Sequence, residues 1–272
     1  MVRSERHLRG HGRRVSRGSP GRSRLPGHFR RHPLNLFLLE PAQLRGARAV
    51  LSADQARHAR DVLRVVPGQD VRVGIVDGPR GIGRVVHADS VELECTFDPD
   101  PPPVPDIDLL LALPRPKVMR RLWAQLAALG VGRIILTNAA RVERNYFDTH
   151  VLDSQFYRPL LIEGLQQAQD THLPCVSIHR RFRPLVEDEL DSLCPSGARL
   201  VAHPAENATP IAGAWPPGAA RVLLAVGPEG GWDDFELRLL GDRGFSPVSL
   251  GARTLRTDTA CIALLATLRA GR

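Results

Sequence analysis

The sequence predicts an α/β protein in two parts, a small β-rich domain followed by a larger domain built on a parallel sheet. Three observations carry this expectation. Short apolar runs alternate between Asn35 and Phe97, five prolines fall between Asp98 and Pro105, and strand-like runs then alternate with helical stretches to the end of the chain. A length of 272 residues suits two modest cores.

Residues 1–33 hold ten arginines and a single acid, Glu5, among Gly, Ser and Pro, with no apolar period that could fold. They read as a disordered tail: an organellar transit segment, an electrostatic arm for RNA, or the product of a start codon placed too far upstream. Residues 34–98 form the first domain. Its strands are expected at Leu36–Leu39, Val71–Val76, Gly83–Val86 and Val91–Cys95. Ser52 followed by Gln55 makes a capping box ahead of Ala56, Ala59, Val62 and Leu63, so one helix interrupts the strands. Pro67-Gly68 stops that helix, and Asp77-Gly78 marks a hairpin turn. Residues 99–105 cannot continue a sheet, because proline donates no ladder hydrogen bond, and they read as a stiff linker.

Residues 106–272 form the second domain. Strands are expected at Ile107–Leu113, Arg133–Thr137, Cys175–His179, Arg199–Ala202, Arg221–Val226 and Pro247–Leu250. Helices are expected near Met119–Leu129, Ser154–Ala168, Pro184–Leu193, Asp234–Arg243 and Thr259–Arg269.

The formal charge of +8 is misleading as a whole-chain figure. Residues 1–33 carry ten positive charges and one negative, a local +9, which leaves about −1 for the remaining 239 residues. Nucleic-acid binding by the folded part must therefore come from local patches. Cys95, Cys175, Cys194 and Cys261 are scattered with no C-x-x-C pair, so neither a zinc site nor a disulfide framework is expected, and a reducing cytoplasm fits. No stretch approaches the roughly 18 apolar residues that span a bilayer, so no membrane partner is expected.

Ligands of open parallel sheets gather at the carboxyl ends of strands. Two loops there stand out. One reads Gly227-Pro228-Glu229-Gly230-Gly231-Trp232-Asp233, and the other runs from Gly251 to Ala260. Three glycines within five residues let backbone approach a ligand closely. Neither G-x-G-x-x-G after the first strand nor G-K-[ST] is present, so dinucleotide and triphosphate sites lack support. From spacing alone, a tight strand-to-helix turn with capping acids is the favoured reading of the first loop.

The pair G-P-E-G-G and L-G-x-R-x-L-R-x-[DE]-T-A, some twenty residues apart, resembles the signature of the 16S rRNA (uracil-N3)-methyltransferase family. That family lies within the SPOUT superfamily of trefoil-knotted methyltransferases. Leu129-Gly130-Val131, Arg144, and the stretch from Glu163-Gly164-Leu165-Gln166-Gln167 to Pro174 resemble its other blocks. His58 with Val62-Leu63-Arg64 and Gly68 is similar to the helix of its small RNA-binding barrel, so the resemblance runs from about Asn35 onward. The chain departs from the common pattern at Gln125, Ala128 and Asp170, where many members have Lys, Glu and Arg, and at Asp258, where Glu is common.

The resemblance implies a trefoil-knotted parallel-sheet domain preceded by a small PUA/OB-like β-barrel. It implies S-adenosyl-L-methionine as cofactor, no metal, 16S rRNA of the small ribosomal subunit as substrate, a cytoplasmic setting and a homodimer. Cofactor contacts are expected at His203, Gly227, Pro228, Glu229, Gly230, Gly231, Leu250, Gly251, Leu255, Thr259 and Ala260. Arg256 either binds RNA phosphate and the uracil oxygens or forms an ion pair with Asp258 or Glu229. Arg144 either reaches a site shared between two subunits or is a solvated surface group. Glu163 is either a proton acceptor or a structural helix residue. Trp123 and Trp232 are stacking platforms or core, with Trp123 at core spacing. Arg60 and Arg64 contact RNA backbone or make a solvated helix face. Two other functions stay open: a related knotted methyltransferase acting on another RNA, and a non-catalytic RNA-binding protein with a degenerate knot.

Overall fold

The computed structural model describes residues 36–87, 92–205 and 207–272. The tail expected at residues 1–33, and Val91 of one expected strand, lie outside the described residues.

Six strands form the first sheet: β1 (Phe37–Leu39), β2 (Leu44–Arg45), β3 (Arg48–Val50), β4 (Asp70–Ile75), β5 (Arg80–His87) and β6 (Glu92–Phe97). They pair in the order β1-β4-β5-β6-β3-β2 as a mixed half-barrel, with β1 parallel to β4 and the other pairs antiparallel. Alternation along β6 puts Leu93 and Cys95 into its core, and β4 contributes Val71 and Val73. The Asp77-Gly78 turn joins β4 to β5, with Asp77 in the left-handed region that aspartate tolerates. Helix α1 (Ala53–Asp61) carries the expected capping box: the Gln55 amide donates to Ser52 Oγ and the Ser52 amide to Gln55 Oε1. The helix ends at Asp61, so Arg64 lies past it with φ +50° and does not share a helical face with Arg60.

The second sheet has seven strands, all parallel: β7 (Ile107–Ala112), β8 (Val131–Thr137), β9 (Cys175–His179), β10 (Ala198–Ala202), β11 (Thr209–Pro210), β12 (Val222–Val226) and β13 (Phe245–Ser249). Their order is β11-β13-β10-β12-β7-β8-β9. Central strands β7 and β12 are buried along their whole length, which explains why both read as unbroken apolar runs rather than alternating ones. The helices are α2 (Pro116–Ala128), α3 (Ser154–Ala168), the short α4 (Phe182–Pro184), which passes through a π stretch at Leu185–Glu189 into α5 (Leu190–Leu193), then α6 (Asp234–Asp242) and α7 (Thr257–Ala270). Helices α2 and α3 touch where Gly164 meets Ala124, with room for no side chain.

The short β11 has no sequence signal, since two residues with a proline do not make a strand by pattern. Its place matters nonetheless. β13 lies between β10 and β11, two strands of one continuous stretch, so the later strand is inserted between two that precede it in the chain. That strand order is the one the knotted arrangement implied by the resemblance requires, an arrangement that is rare because most connections avoid passing through loops.

The half-barrel rests on the second sheet through α3 and the loop after it. Arg158 pairs with Glu40 at 2.5 Å, Thr171 Oγ1 donates to the Gly78 carbonyl at 2.6 Å, and the Leu173 amide donates to Asp77 Oδ1 at 2.8 Å. Asp170, where the family commonly has arginine, accepts from the Thr171 amide at 2.7 Å and so shapes this loop.

Candidate active site

The two glycine loops leave β12 and β13, the strands on either side of β10, at the same carboxyl edge of the sheet. β12 runs into Gly227–Asp233, and β13 into the stretch before α7. The first loop is closed by a capping box in which Asp233 Oδ1 accepts from the Glu236 amide at 2.8 Å and the Asp233 amide donates to Glu236 Oε2 at 2.9 Å. The other oxygen of the buried Glu236 carboxylate accepts from the Ala140 amide at 2.7 Å, fastening the loop to the end of β8. Gly231 and Gly251 have φ of +74° and +104°, which is why glycine occupies both places.

Between the loops lies a cleft of about 330 Å³, near the lower end of the range for small-molecule sites. His203, Gly227, Pro228, Glu229, Gly230, Gly231, Leu250, Gly251, Leu255 and Ala260 all line it. Thr259 does not; Thr257, buried at the start of α7, lines it instead. The Gly251–Arg256 segment precedes the helix, and the expected register placed the inward threonine two residues too late. His203 is held by its amide, which donates to the Val248 carbonyl at 3.0 Å.

Arg141 was not among the expected site residues. It lines the cleft and its guanidinium donates to the Gly230 carbonyl. A Cβ on Gly230 would stand 2.8 Å from Arg141 Cδ, so the arginine covers the glycine closely. The two residues are 89 positions apart, and nothing local in the sequence announces the contact.

Trp232 is buried, lines the cleft, and packs against Phe182 with ring centroids 5.4 Å apart. Its Nε1–H has no partner among the described residues. A buried indole donor left unmatched is costly, and here it sits in the wall of a glycine-lined cleft. Trp123 is core: fully buried, stacked on Tyr157 at 4.7 Å, with Nε1 donating to the Val151 carbonyl.

The residues expected to act on substrate lie outside the cleft. Arg256 is exposed at the N-cap of α7, and neither expected ion pair forms. Asp258 pairs with Arg121 at 2.6 Å, and Glu229 Oε1 accepts from the Arg115 amide at 3.4 Å. Arg144 and Glu163 are exposed, the first opening a short helix at Arg144–Asp148 and the second on α3. Arg60 and Arg64 are exposed as well. Among the described residues no group of three or more metal-ligating side chains occurs, and no helix is long and apolar enough to cross a membrane.

The model of an RNA methyltransferase domain matches residues 100–269. The chain is 28% identical over 242 residues to a ribosomal RNA small subunit methyltransferase E of Treponema pallidum, covering 87% of this chain and 91% of that protein. It is 29% identical to the protein of the same name from Synechocystis, covering 86% and 77%. Among solved structures it is similar to a ribosomal RNA small subunit methyltransferase E from Neisseria gonorrhoeae bound to S-adenosyl methionine. That match has a TM-score of 0.70 at 24% identity and covers 87% of this chain and 97% of that one.

Proposed function

The chain belongs to the RNA methyltransferase family, and on that footing we propose that it transfers a methyl group from S-adenosylmethionine to N3 of a uridine in 16S ribosomal RNA of the small subunit. The observation that carries this reading is the cleft itself: two glycine loops at the ends of the strands that flank β10, with the Trp232 donor unmatched in its wall. The relatives named for small-subunit rRNA support the substrate.

The residues present fit the cofactor. Backbone groups of Gly227–Gly231 and Gly251–Leu255 offer hydrogen-bonding edges, Val226, Leu250, Leu255 and Leu264 supply apolar wall, and no side chain of the glycines fills the space. Bound S-adenosylmethionine supplies a methyl group on a sulfonium, which is open to in-line attack. The chain contributes alignment of the acceptor, exclusion of water and handling of the N3 proton.

Arg256 has no ion pair among the described residues and stands next to the cleft loop, so its guanidinium is available to RNA phosphate or to charge developing on the uracil oxygens. Arg144 and Glu163 are exposed, which suits a site completed across a homodimer, with Glu163 as the proton acceptor. Thr259, expected on the cofactor, is exposed and is given no part in holding it. Residues 34–98 act as the RNA-recognition domain, with Arg60 and Arg64 on RNA backbone, and residues 106–272 as the methyltransferase domain. A ribosomal substrate calls for a cytoplasmic enzyme.

The test is calorimetric titration with S-adenosylhomocysteine of the wild type and of Gly230→Arg, followed by mass analysis of nucleosides from treated 16S rRNA. Binding by the wild type, its loss in the variant, and 3-methyluridine in the product are expected. A folded wild type that binds no cofactor and forms no 3-methyluridine overturns the reading.

A further inference from the structure

Between Asp108 and Glu143 the chain carries six cations and no acid. Four of them, Arg115, Lys117, Arg120 and Arg121, fall within seven residues at the start of α2, and all four are exposed. This is an unfavourable place for them. The amino end of a helix is the positive end of its dipole, and neighbours three and four apart repel when they bear like charge. The described part of the chain is otherwise nearly neutral, so the concentration is local.

The helix start also adjoins both loops of the cleft. The Arg115 amide meets Glu229 of the first loop, and Arg121 holds Asp258 in the first turn of α7, directly after the second. Arg120 lies over the Phe156 ring at 5.8 Å. Lys117 makes no ion pair among the described residues. We infer that the first two turns of α2 form a docking surface for the phosphate backbone of the acceptor RNA, beside the strand end where the methyl group is delivered. A polyanion relieves both the mutual repulsion and the opposed dipole, and the two acids beside the surface are already engaged, Asp258 by Arg121 and Glu229 by the Arg115 amide.

This inference rests on the proposed RNA substrate, and the experiment separates the two. Lys117 is the chain's only lysine, so an amine-reactive acetylating reagent marks that side chain and, apart from it, only the terminal amine. The full chain is acetylated alone and with assembled small ribosomal subunits, and Lys117 is followed by peptide mass mapping. Lys117→Gln with Arg120→Gln is compared with the wild type in subunit binding across salt concentrations and in S-adenosylhomocysteine affinity. Expected are fast labelling of free protein, strong protection by the subunit, unchanged cofactor affinity, and a salt slope of binding smaller by about 1.4 to 1.8 for two lost phosphate contacts. Overturning results are methylation and binding by the wild type with Lys117 still labelled at the free rate, or a double variant with the wild-type salt slope. Slow labelling of the protein alone also overturns it, since the face is then covered by another copy of the chain. A wild type that binds no subunit at all removes the proposed function and this inference together.

Discussion

The carboxylate of Asp258 and the guanidinium of Arg121 lie 2.6 Å apart and join the first turn of α7 to α2. Burial alone would raise the Asp258 pKa. Hydrogen bonds from the Thr259 amide and from Arg121, with the charge of Arg121, outweigh burial and hold it below the ordinary 3.8. A carboxylate depressed in the folded state stabilises above its unfolded pKa, and that contribution is lost as pH falls through the folded value. Asp258→Asn should therefore lower stability by about 0.5–1 kcal/mol at neutral pH, as for a surface pair near a helix start. Thermal melts of both proteins should converge in acid.

Gly251 has φ +104°, and a Cβ added there would meet nothing within 4 Å, so replacement is opposed by backbone conformation and not by crowding. Gly251→Ala should cost about 1–3 kcal/mol locally. The loss should be read as S-adenosylhomocysteine affinity reduced about tenfold or more in calorimetry. Gly241→Ala, on α6 with equally open surroundings and ordinary φ, should instead raise stability by about 0.5–1 kcal/mol and leave affinity alone.

Gly164→Ala should be among the most damaging single changes. Its Cβ would stand 2.0 Å from the Ala124 carbonyl oxygen, a backbone atom that cannot swing away. Separating α2 from α3 there should cost about 3 kcal/mol or more, measured as a lower urea midpoint, or give no soluble protein.

The cysteines should fall into two reactivity classes. Cys175 is exposed, whereas Cys95, Cys194 and Cys261 are buried. Burial pushes the Cys95 thiol up to about 11 and that of Cys261 up to about 12, and it raises Cys194 as well. Iodoacetamide at about pH 8 should modify Cys175 in native protein and the other three only after denaturation, because the thiolate is the reactive form. A thiol raised in the folded state stabilises below its unfolded value near 9.0 and loses that contribution as pH climbs toward the folded value. Stability should decline above about pH 9, less steeply in Cys261→Ala.

Trp232 should report on the cleft. S-adenosylhomocysteine should change its fluorescence, and Trp232→Phe should abolish the response, while Trp123→Phe and Trp215→Phe keep it. An unaltered response in Trp232→Phe would place the ligand elsewhere.

Much of the second domain was legible because its central strands β7 and β12 are buried along their whole length and read as unbroken apolar runs, and because α6 carries a cap with a clear signal, Asp233 with Glu236. The hairpin of β2 and β3 escaped notice because two strands of two and three residues leave no alternation to read. β11 escaped for the same reason, and only its partner β13 makes it a strand. The cleft wall was legible where it is made of glycine loops adjacent in sequence. Trp232 was singled out there as a stacking platform or core, and it is both buried and part of the cleft wall. The wall was illegible at Arg141, whose role comes from a contact between segments that meet only after folding. The acidic partners expected for Arg256 were misassigned for a similar reason, since Arg121 and the Arg115 amide arrive from α2 to take them.

The position of β13 also sets an order in time. The cleft has one wall from the loop after β12 and the other from the loop after β13, so half a site exists until that strand has been drawn through. Ligand binding is then a signal that assembly has finished. It is also a latch, because a molecule held by both loops must depart before β13 can slip back out. A ligand that binds only the completed cleft therefore stabilises the assembled sheet by mass action, and more so the higher its concentration.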